Sequence, residues 1–390
     1  MPDPRWLALG VLTLARISMG FQFQSMASVA IELRHAFDLN YTDVGLLIGL
    51  YMSPGLVLAL PGGMLGQRFG DKRLVVLGLA LMTLGALLMS LADTWWGLAA
   101  GRLMSGVGGV LLNVLMAKMV TDWFAGREIM MAMGIFVNSF PLGIGLALFS
   151  LSRLVGAAGW PAAMQATALL SLAALLLVLL AYRPHAHDRN LKSAAKFELS
   201  VSAREAVLVS LAGMIWGLLN GAYSIYLGFS PIFLTSRGLD AAEASFWVGL
   251  ASWLAVASGI GGGAVVQRWG RENLVFASSI ALSAACYAAV PVVRDAVPPL
   301  LAVAVLLSVP AALIMALPSH LLRPEARGTG MGIFYTWLYI GQGTLPALAG
   351  KLQDVTGSLA ASQYFAAALM FAMLVVFVAL RLLQREPQPE

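Results

Sequence analysis

The sequence predicts an all-α polytopic membrane protein, with twelve transmembrane helices in two pseudo-symmetric six-helix bundles. Three observations point there: a charge-poor composition, apolar runs of spanning length, and an internal repeat of about 200 residues. Of 390 residues, 59% are hydrophobic and 11% charged, and the mean hydropathy is +0.83. Soluble domains hold about 45–50% apolar and about 25% charged residues, so this chain lacks the charged surface to face water. A membrane helix takes about 20 mostly apolar residues, so twelve take about 240, close to the chain's whole apolar content. The runs are continuous, whereas strands of a membrane barrel alternate apolar and polar residues.

Breaking the runs at charges, Gly/Pro clusters and turn residues gives twelve spans. They lie near 6–34, 44–66, 74–92, 97–120, 130–152, 161–183, 204–235, 244–266, 273–293, 299–322, 329–350 and 362–382. Most connections are short, which makes sequential helices antiparallel neighbours. The segment from Met1 to Trp6 leads straight into the first run without a small-residue cleavage signal, so that run reads as a span. The longest polar break, PHAHDRNLKSAAKFELSVSA at 184–203, divides a first bundle (1–183) from a second (204–382), with a tail at 383–390.

Orientation follows from Lys and Arg, which concentrate in cytoplasmic loops. With the N-terminus inside, sixteen fall on the cytoplasmic side, five outside and three within spans (Arg16, Arg102 and Lys118). Both termini and the 184–203 linker are thus expected in the cytoplasm of a cell inner membrane. The formal charge of +5 has the same origin and gives no reason to invoke nucleic acid. The single cysteine, Cys286, excludes an internal disulfide or a multi-cysteine metal site.

The two halves repeat. Gly63-Met-Leu-Gly-Gln67-Arg68-Phe69-Gly70 after the second span matches Gly263-Ala-Val-Val-Gln267-Arg268-Trp269-Gly270 after the eighth, at an offset of 200. Met133-Gly134-Ile135-Phe136 matches Met331-Gly332-Ile333-Phe334 at an offset of 198, and Gly143 and Gly145 match Gly341 and Gly343 at the same spacing. Repeated six-helix halves describe a transporter whose substrate binds between them near mid-membrane.

These residues resemble the major facilitator superfamily. Its loop motif, G-x-x-x-D-[RK]-x-G-[RK]-[RK], compares with Gly63-x-x-x-Gln67-Arg68-x-Gly70-Asp71-Lys72-Arg73. The fourth span, Arg102-Leu-Met-Ser-Gly106-Val-Gly108-Gly109, is similar to the family's R-x-x-x-G-x-G-G pattern. Asn138-Ser-Phe-Pro141-Leu-Gly143-Ile-Gly145 approximates the G-P-x-x-G-G pattern of its antiporters. The resemblance implies a secondary transporter and assigns coupling or gating to Gln67, Arg68, Lys72, Arg102, Gln267 and Arg268; Asn113, on the helical stripe of Arg102, is grouped with them. Glutamine replaces the motif's acid in both copies, so another acid is expected in the cytoplasmic latch. Asp122 paired with Arg68 or Lys72 is the candidate; a solvated helix end is the other reading.

Charges within spans carry the functional expectation. An Arg or Lys at a span centre costs about 2.5–3.5 kcal/mol to insert and normally faces a cavity or a partner. Arg16 lies about ten residues into the first span, roughly 15 Å deep, with no acid of a neighbouring span at that depth. Its guanidinium suits bidentate binding of a carboxylate or oxyanion; the other reading is a structural arginine held by carbonyls and water. Arg102, Gly106, Gly109 and Asn113 share a helical stripe that faces either the cavity or a tight helix contact. Lys118, roughly 160° around the helix from Arg102, is expected to snorkel to the interface.

Neutral polar and aromatic residues form a second layer. Gln24 lies within about 80° of Arg16 on its helix, and Asn138 stands beside Pro141. Trp216, Asn220 and Tyr223 share i, i+4, i+7 spacing, as do Tyr335, Tyr339 and Gln342. They either grade specificity around the cation or serve as interfacial anchors and helix–helix hydrogen bonds.

No span carries a central carboxylate, His185-x-His187 is too short a motif for a metal site, and neither a phosphate-binding loop nor a nucleophile–base pair is present. The expectation is therefore a monomeric, cofactor-free secondary transporter of a small anion, loosely similar to cyanate- and nitrate-type porters, with an exchanged or co-transported ion. The alternative is a drug or metabolite efflux antiporter, and a membrane enzyme is disfavoured.

Overall fold

The computed structural model describes residues 4–124, 128–183, 201–323 and 326–385. Fourteen helices occupy them: α1 (Pro4–Ser28), α2 (Ala30–Phe37), α3 (Tyr41–Leu50), α4 (Gly55–Phe69), α5 (Asp71–Ser90), α6 (Trp95–Phe124), α7 (Ile129–Ala181), α8 (Ala203–Ser236), α9 (Ala241–Trp269), α10 (Glu272–Ala289), α11 (Val297–Ser308), α12 (Ala311–Leu321), α13 (Arg327–Thr356) and α14 (Ala361–Arg385). They map onto the twelve expected spans. The second span is α3 with α4, interrupted at 51–54 ahead of Pro54 and Gly55; the tenth is α11 with α12, interrupted ahead of Pro310. A missing proline N–H and its ring's clash with the preceding turn explain such breaks.

The fifth and sixth spans run together as α7, whose helical geometry is broken at Gly159 (φ 82°) ahead of Pro161. Only glycine reaches that backbone region without strain, so the boundary between the two spans is one residue wide. Ten of the described segments are long and apolar enough to cross a membrane; α7 counts once among them and α13 is not included. The protein is an integral multi-pass membrane protein.

Contacts divide the chain into two units, Met1–Leu39 with Leu47–Lys196, and Asn40–Leu46 with Phe197–Glu390. The first therefore keeps the first bundle except for seven residues at the start of α3. The linker proposed at 184–203 lies outside the described residues as far as 200, as do 386–390 of the tail. The bundles bury small and apolar residues inside and turn leucines outward: Leu84, Leu169 and Leu180 are exposed, whereas Leu12, Leu79 and Leu112 are fully buried. Lipid tails solvate leucine as well as a core does, so tight association falls to small residues that let backbones approach.

Candidate functional site

In the first unit, α1 crosses the Met131–Val155 stretch of α7 at contact between backbones. A Cβ added at Gly20 would strike the Phe140 carbonyl, and one at Gly143 the Ile17 carbonyl. That approach brings Arg16, half-buried in the middle of α1, onto two rings of α7. Its guanidinium carbon lies 4.5 Å from the Phe136 ring centre and 5.8 Å from that of Phe140. A desolvated cation over an aromatic face gains about 2 kcal/mol, which offsets most of the cost of inserting the charge. Gln24, two turns on, is buried, and Asn138 spends one amide hydrogen on the Gly134 carbonyl of its own helix (2.9 Å).

The second unit repeats this construction with different chemistry. Here α8 meets α13: a Cβ at Gly341 would strike the Gly217 carbonyl, and one at Gly217 the Trp337 carbonyl. Ile17 and Gly217 are separated by the repeat offset of 200, and Gly143 and Gly341 by that of 198. Trp216 stands at the position of Arg16 and Phe334 at that of Phe136, and the two rings stack at 6.3 Å and 15°. The first half thus places a cation on the repeated phenylalanine and the second half an indole. The Trp216 Nε1–H is buried without a hydrogen-bond acceptor among the described residues.

The two stripes read from the sequence lie on these two helices and meet in part, at Trp216 and Tyr335. Tyr335 meets the other side of Phe334 edge-on (5.6 Å, 84°), so Trp216 and Tyr335 share one ring. Tyr339 and Gln342 are buried farther along α13. Asn220 turns back to donate to the Trp216 carbonyl (2.9 Å), and Tyr223 stacks on Tyr226 (6.2 Å, 6°). Tyr226 is a member of this aromatic cluster that sequence reasoning missed. Its ring also packs against Tyr287 (6.5 Å, 77°), which donates to the Ala222 carbonyl; the only signal was its i+3 spacing from Tyr223.

Arg102, near the start of α6, is a second arginine within a span and has the opposite surroundings. It is 0% exposed. Its Nε donates to the Leu47 carbonyl (2.9 Å), Nη1 to that of Gln22 (2.7 Å) and Nη2 to that of Phe23 (2.6 Å), while the guanidinium carbon lies 4.7 Å from the Tyr51 ring centre. The break after Leu50 leaves the last carbonyls of α3 without partners in their own helix, and a cation suits that negative helix end. Gly106 and Gly109 pack on Tyr51. The cavity reading of this stripe is thereby corrected: from Arg102 to Gly109 it faces the protein interior, against α1 and the end of α3. Asn113, the fourth member, is half-buried.

The Major Facilitator Superfamily model matches residues 12–341 and 242–390, which together cover most of the chain. The chain belongs to this superfamily. The proteins it matches there are named for transport and not for catalysis. The nitrite extrusion protein of Bacillus subtilis (strain 168) is 23% identical over 246 residues, 63% of this chain and 61% of that protein. Human protein spinster homolog 1 is 29% identical over 163 residues, 41% of this chain and 31% of its own length. The match thus spans less than two thirds of the length of these curated relatives. Among solved structures, a point mutant of the nucleoside transporter NupG superimposes with a TM-score of 0.78 at 14% identity, covering 97% of this chain and 100% of that one. A bacterial homolog of the human lysosomal transporter Spinster gives 0.76 at 15%, covering 98% and 97%.

The superfamily's loop motif was expected to engage Asp122 through Arg68 or Lys72, and that pairing is corrected. Asp122 pairs with Lys118, one turn back on α6 (3.3 Å). The same lysine forms an ion pair and hydrogen bond with Asp71, at the start of α5. Lys118, about a third exposed, thus turns toward the two acids at this end of α6. Asp71 is 3% exposed, and a carboxylate so buried requires a partner, which the α6 lysine supplies. Lys72 donates instead to the carbonyls of Leu179 (3.1 Å) and Tyr182 (2.7 Å), capping the end of α7. Arg68 is exposed, 5.4 Å from the Phe69 ring, and Arg268 is also exposed. The side chains of Gln67 and Gln267 lie outside the described residues.

Proposed function

We propose that this superfamily member is a secondary active transporter of a small organic or inorganic anion. It works by alternating access of its two six-helix halves, with Arg16 taking the substrate charge. The contrast between the two arginines within spans carries this reading. Arg102 is sealed in the interior with three N–H groups on main-chain carbonyls. Arg16 keeps part of its surface open, and its guanidinium carbon lies over two aromatic rings. A guanidinium takes a carboxylate or oxyanion bidentately through its edge, so rings on its face are compatible with such a ligand. The relative named for nitrite extrusion also handles an anion, which supports the substrate class.

Gln24 and Asn138 in the first half, and Trp216, Asn220, Tyr223, Tyr335, Tyr339 and Gln342 in the second, supply neutral donors and apolar walls. The Trp216 indole N–H is the foremost among them. Arg102, with Asn113 on its stripe, acts by holding α1, α3 and α6 together, and Arg68, Lys72, Asp122 and the Gln67 and Gln267 loops act in gating. The positive-loop bias places both termini in the cytoplasm of the inner membrane, and the transporter acts as a monomer.

The test is uptake of radiolabelled small carboxylates and oxyanions into proteoliposomes, with wild type and Arg16→Gln compared at equal incorporation. Anion uptake lost in the variant supports the reading. Efflux of hydrophobic cations, indifferent to anions and to Arg16, overturns it in favour of a drug or metabolite antiporter.

A further inference from the structure

Seven residues of the first half, Asn40–Leu46, group with the second unit, although Leu39 and Leu47 on either side belong to the first. One side chain makes three hydrogen bonds to this segment. The Asp354 carboxylate near the end of α13 accepts from the Tyr41 N–H through Oδ1 (2.9 Å), and from the Thr42 N–H (2.8 Å) and Thr42 Oγ1–H (2.5 Å) through Oδ2. The first amides of a helix have no partners within it, and their positive end favours an anion.

In α3 these amides are divided between two caps. Asn40 Oδ1 accepts from the Asp43 N–H (2.8 Å), and Asp43 Oδ2 accepts from the Asn40 N–H (3.2 Å). The helix's own cap thus serves its third residue, and Asp354 serves the first two. The main chains approach closely on both sides of this contact: a Cβ at Gly350 would strike the Tyr41 carbonyl, and one at Gly45 the Pro346 carbonyl. Both segments follow odd-numbered spans and so belong to the same face of the membrane.

We infer that Asp354 is a latch that holds the start of α3 against α13 in this conformation and must let go during the transport cycle. All three hydrogen bonds end on one carboxylate and all are solvent-exposed, so a single event releases them, and exposed charged contacts are cheap to break. Lys351 and Asp43 are the charged side chains nearest in sequence to its two sides. The inference rests on the transport reading only in requiring that α3 moves; it does not depend on the substrate.

The test uses substrate-free purified full-length protein in detergent. Val44 is 3% exposed and lies within the latched segment. In a Cys286→Ser background, Val44→Cys reports opening through its reaction rate with a bulky maleimide. Asp354→Ala raises that rate about tenfold, as expected for losing a charged acceptor at an exposed contact. Thr42→Val, which removes only the hydroxyl bond, raises it by about threefold, in line with one neutral donor.

Size-exclusion elution and the melting temperature check that each variant is folded, and Thr42→Val decides alone if Asp354→Ala is not. Rates that stay near the parent's, changed by less than about half of the threefold rise expected for the single hydroxyl bond, overturn the latch in the folded variants. Because no anion is present, that result leaves the Arg16 reading standing, and failure of anion binding at Arg16 leaves the latch standing.

Discussion

Replacing Arg102 by glutamine removes a side chain that ties α1, α3 and α6 together inside the first unit. The wild-type guanidinium reaches the Leu47, Gln22 and Phe23 carbonyls at 2.6–2.9 Å and faces Tyr51 at 4.7 Å. Glutamine is shorter and offers two amide hydrogens, so at most one of these carbonyls keeps a partner, and the break at 51–54 stays uncapped. Leaving the other two buried carbonyls without a donor costs about 1–3 kcal/mol each, or about 2–6 kcal/mol. For a unit of this size that corresponds to a fall in melting temperature of roughly 4–24 °C.

The measurement is thermal inactivation followed by size-exclusion chromatography in a mild detergent, with anion uptake assayed on the fraction that survives. The expected result is a low melting temperature with a near-normal apparent KM in the surviving protein. Arg102→Lys, which keeps the charge but loses the fork, falls between the two. A variant that melts within about 2 °C of wild type, short of the expected fall, or one of normal stability with a much weakened KM, refutes the structural assignment.

Three further outcomes follow from the packing. Lys118→Met strands the buried Asp71 carboxylate and lowers stability by about 3–5 kcal/mol, and Asp71→Asn in the same chain restores most of it; equal losses in the single and double variants contradict the pairing. Gly143→Ala and Gly341→Ala force apart two equivalent backbone contacts and each cost about 1–3 kcal/mol, read as lower melting temperatures, whereas Gly134→Ala, where a Cβ meets nothing within 4 Å, is neutral. Trp216→Phe keeps the stack on Phe334 but removes the indole N–H; the anion KM rises by about tenfold or more at unchanged melting temperature, as for one lost hydrogen bond to a charged group, and an unchanged KM removes Trp216 from the site.

Much of the fold was legible because membrane spans are written in long apolar runs, which set helix number and order without tertiary information. The repeat was legible too, and it reached further than the helices. The phenylalanines that close the two matched tetrapeptides, Phe136 and Phe334, carry Arg16 and Trp216 in the structure. The glycines matched at the same offset make the equivalent contacts.

What stayed hidden depends on pairings distant in sequence. Asp71 and Lys118 lie 47 residues apart, and each alone reads as an interfacial charge; only the packing of α5 on α6 shows that one is buried against the other. The interior facing of the Arg102 stripe was ambiguous because glycines serve cavities and helix contacts alike, and the partner that settles it, Tyr51, lies in the break of the second span. The Asp354 contact left no mark in the sequence, since an acid near the end of a span is ordinarily a solvated one.

Ligand-induced stabilisation gives the most direct reading of the role assigned to Arg16. Purified wild type, Arg16→Lys and Arg16→Gln are melted in the presence of a panel of small carboxylates and inorganic oxyanions, each matched with a neutral analogue. The expected pattern is a concentration-dependent rise for at least one anion in wild type, a smaller one in the lysine variant and none in the glutamine variant, with the neutral analogues silent throughout. A rise of equal size in Arg16→Gln contradicts the account.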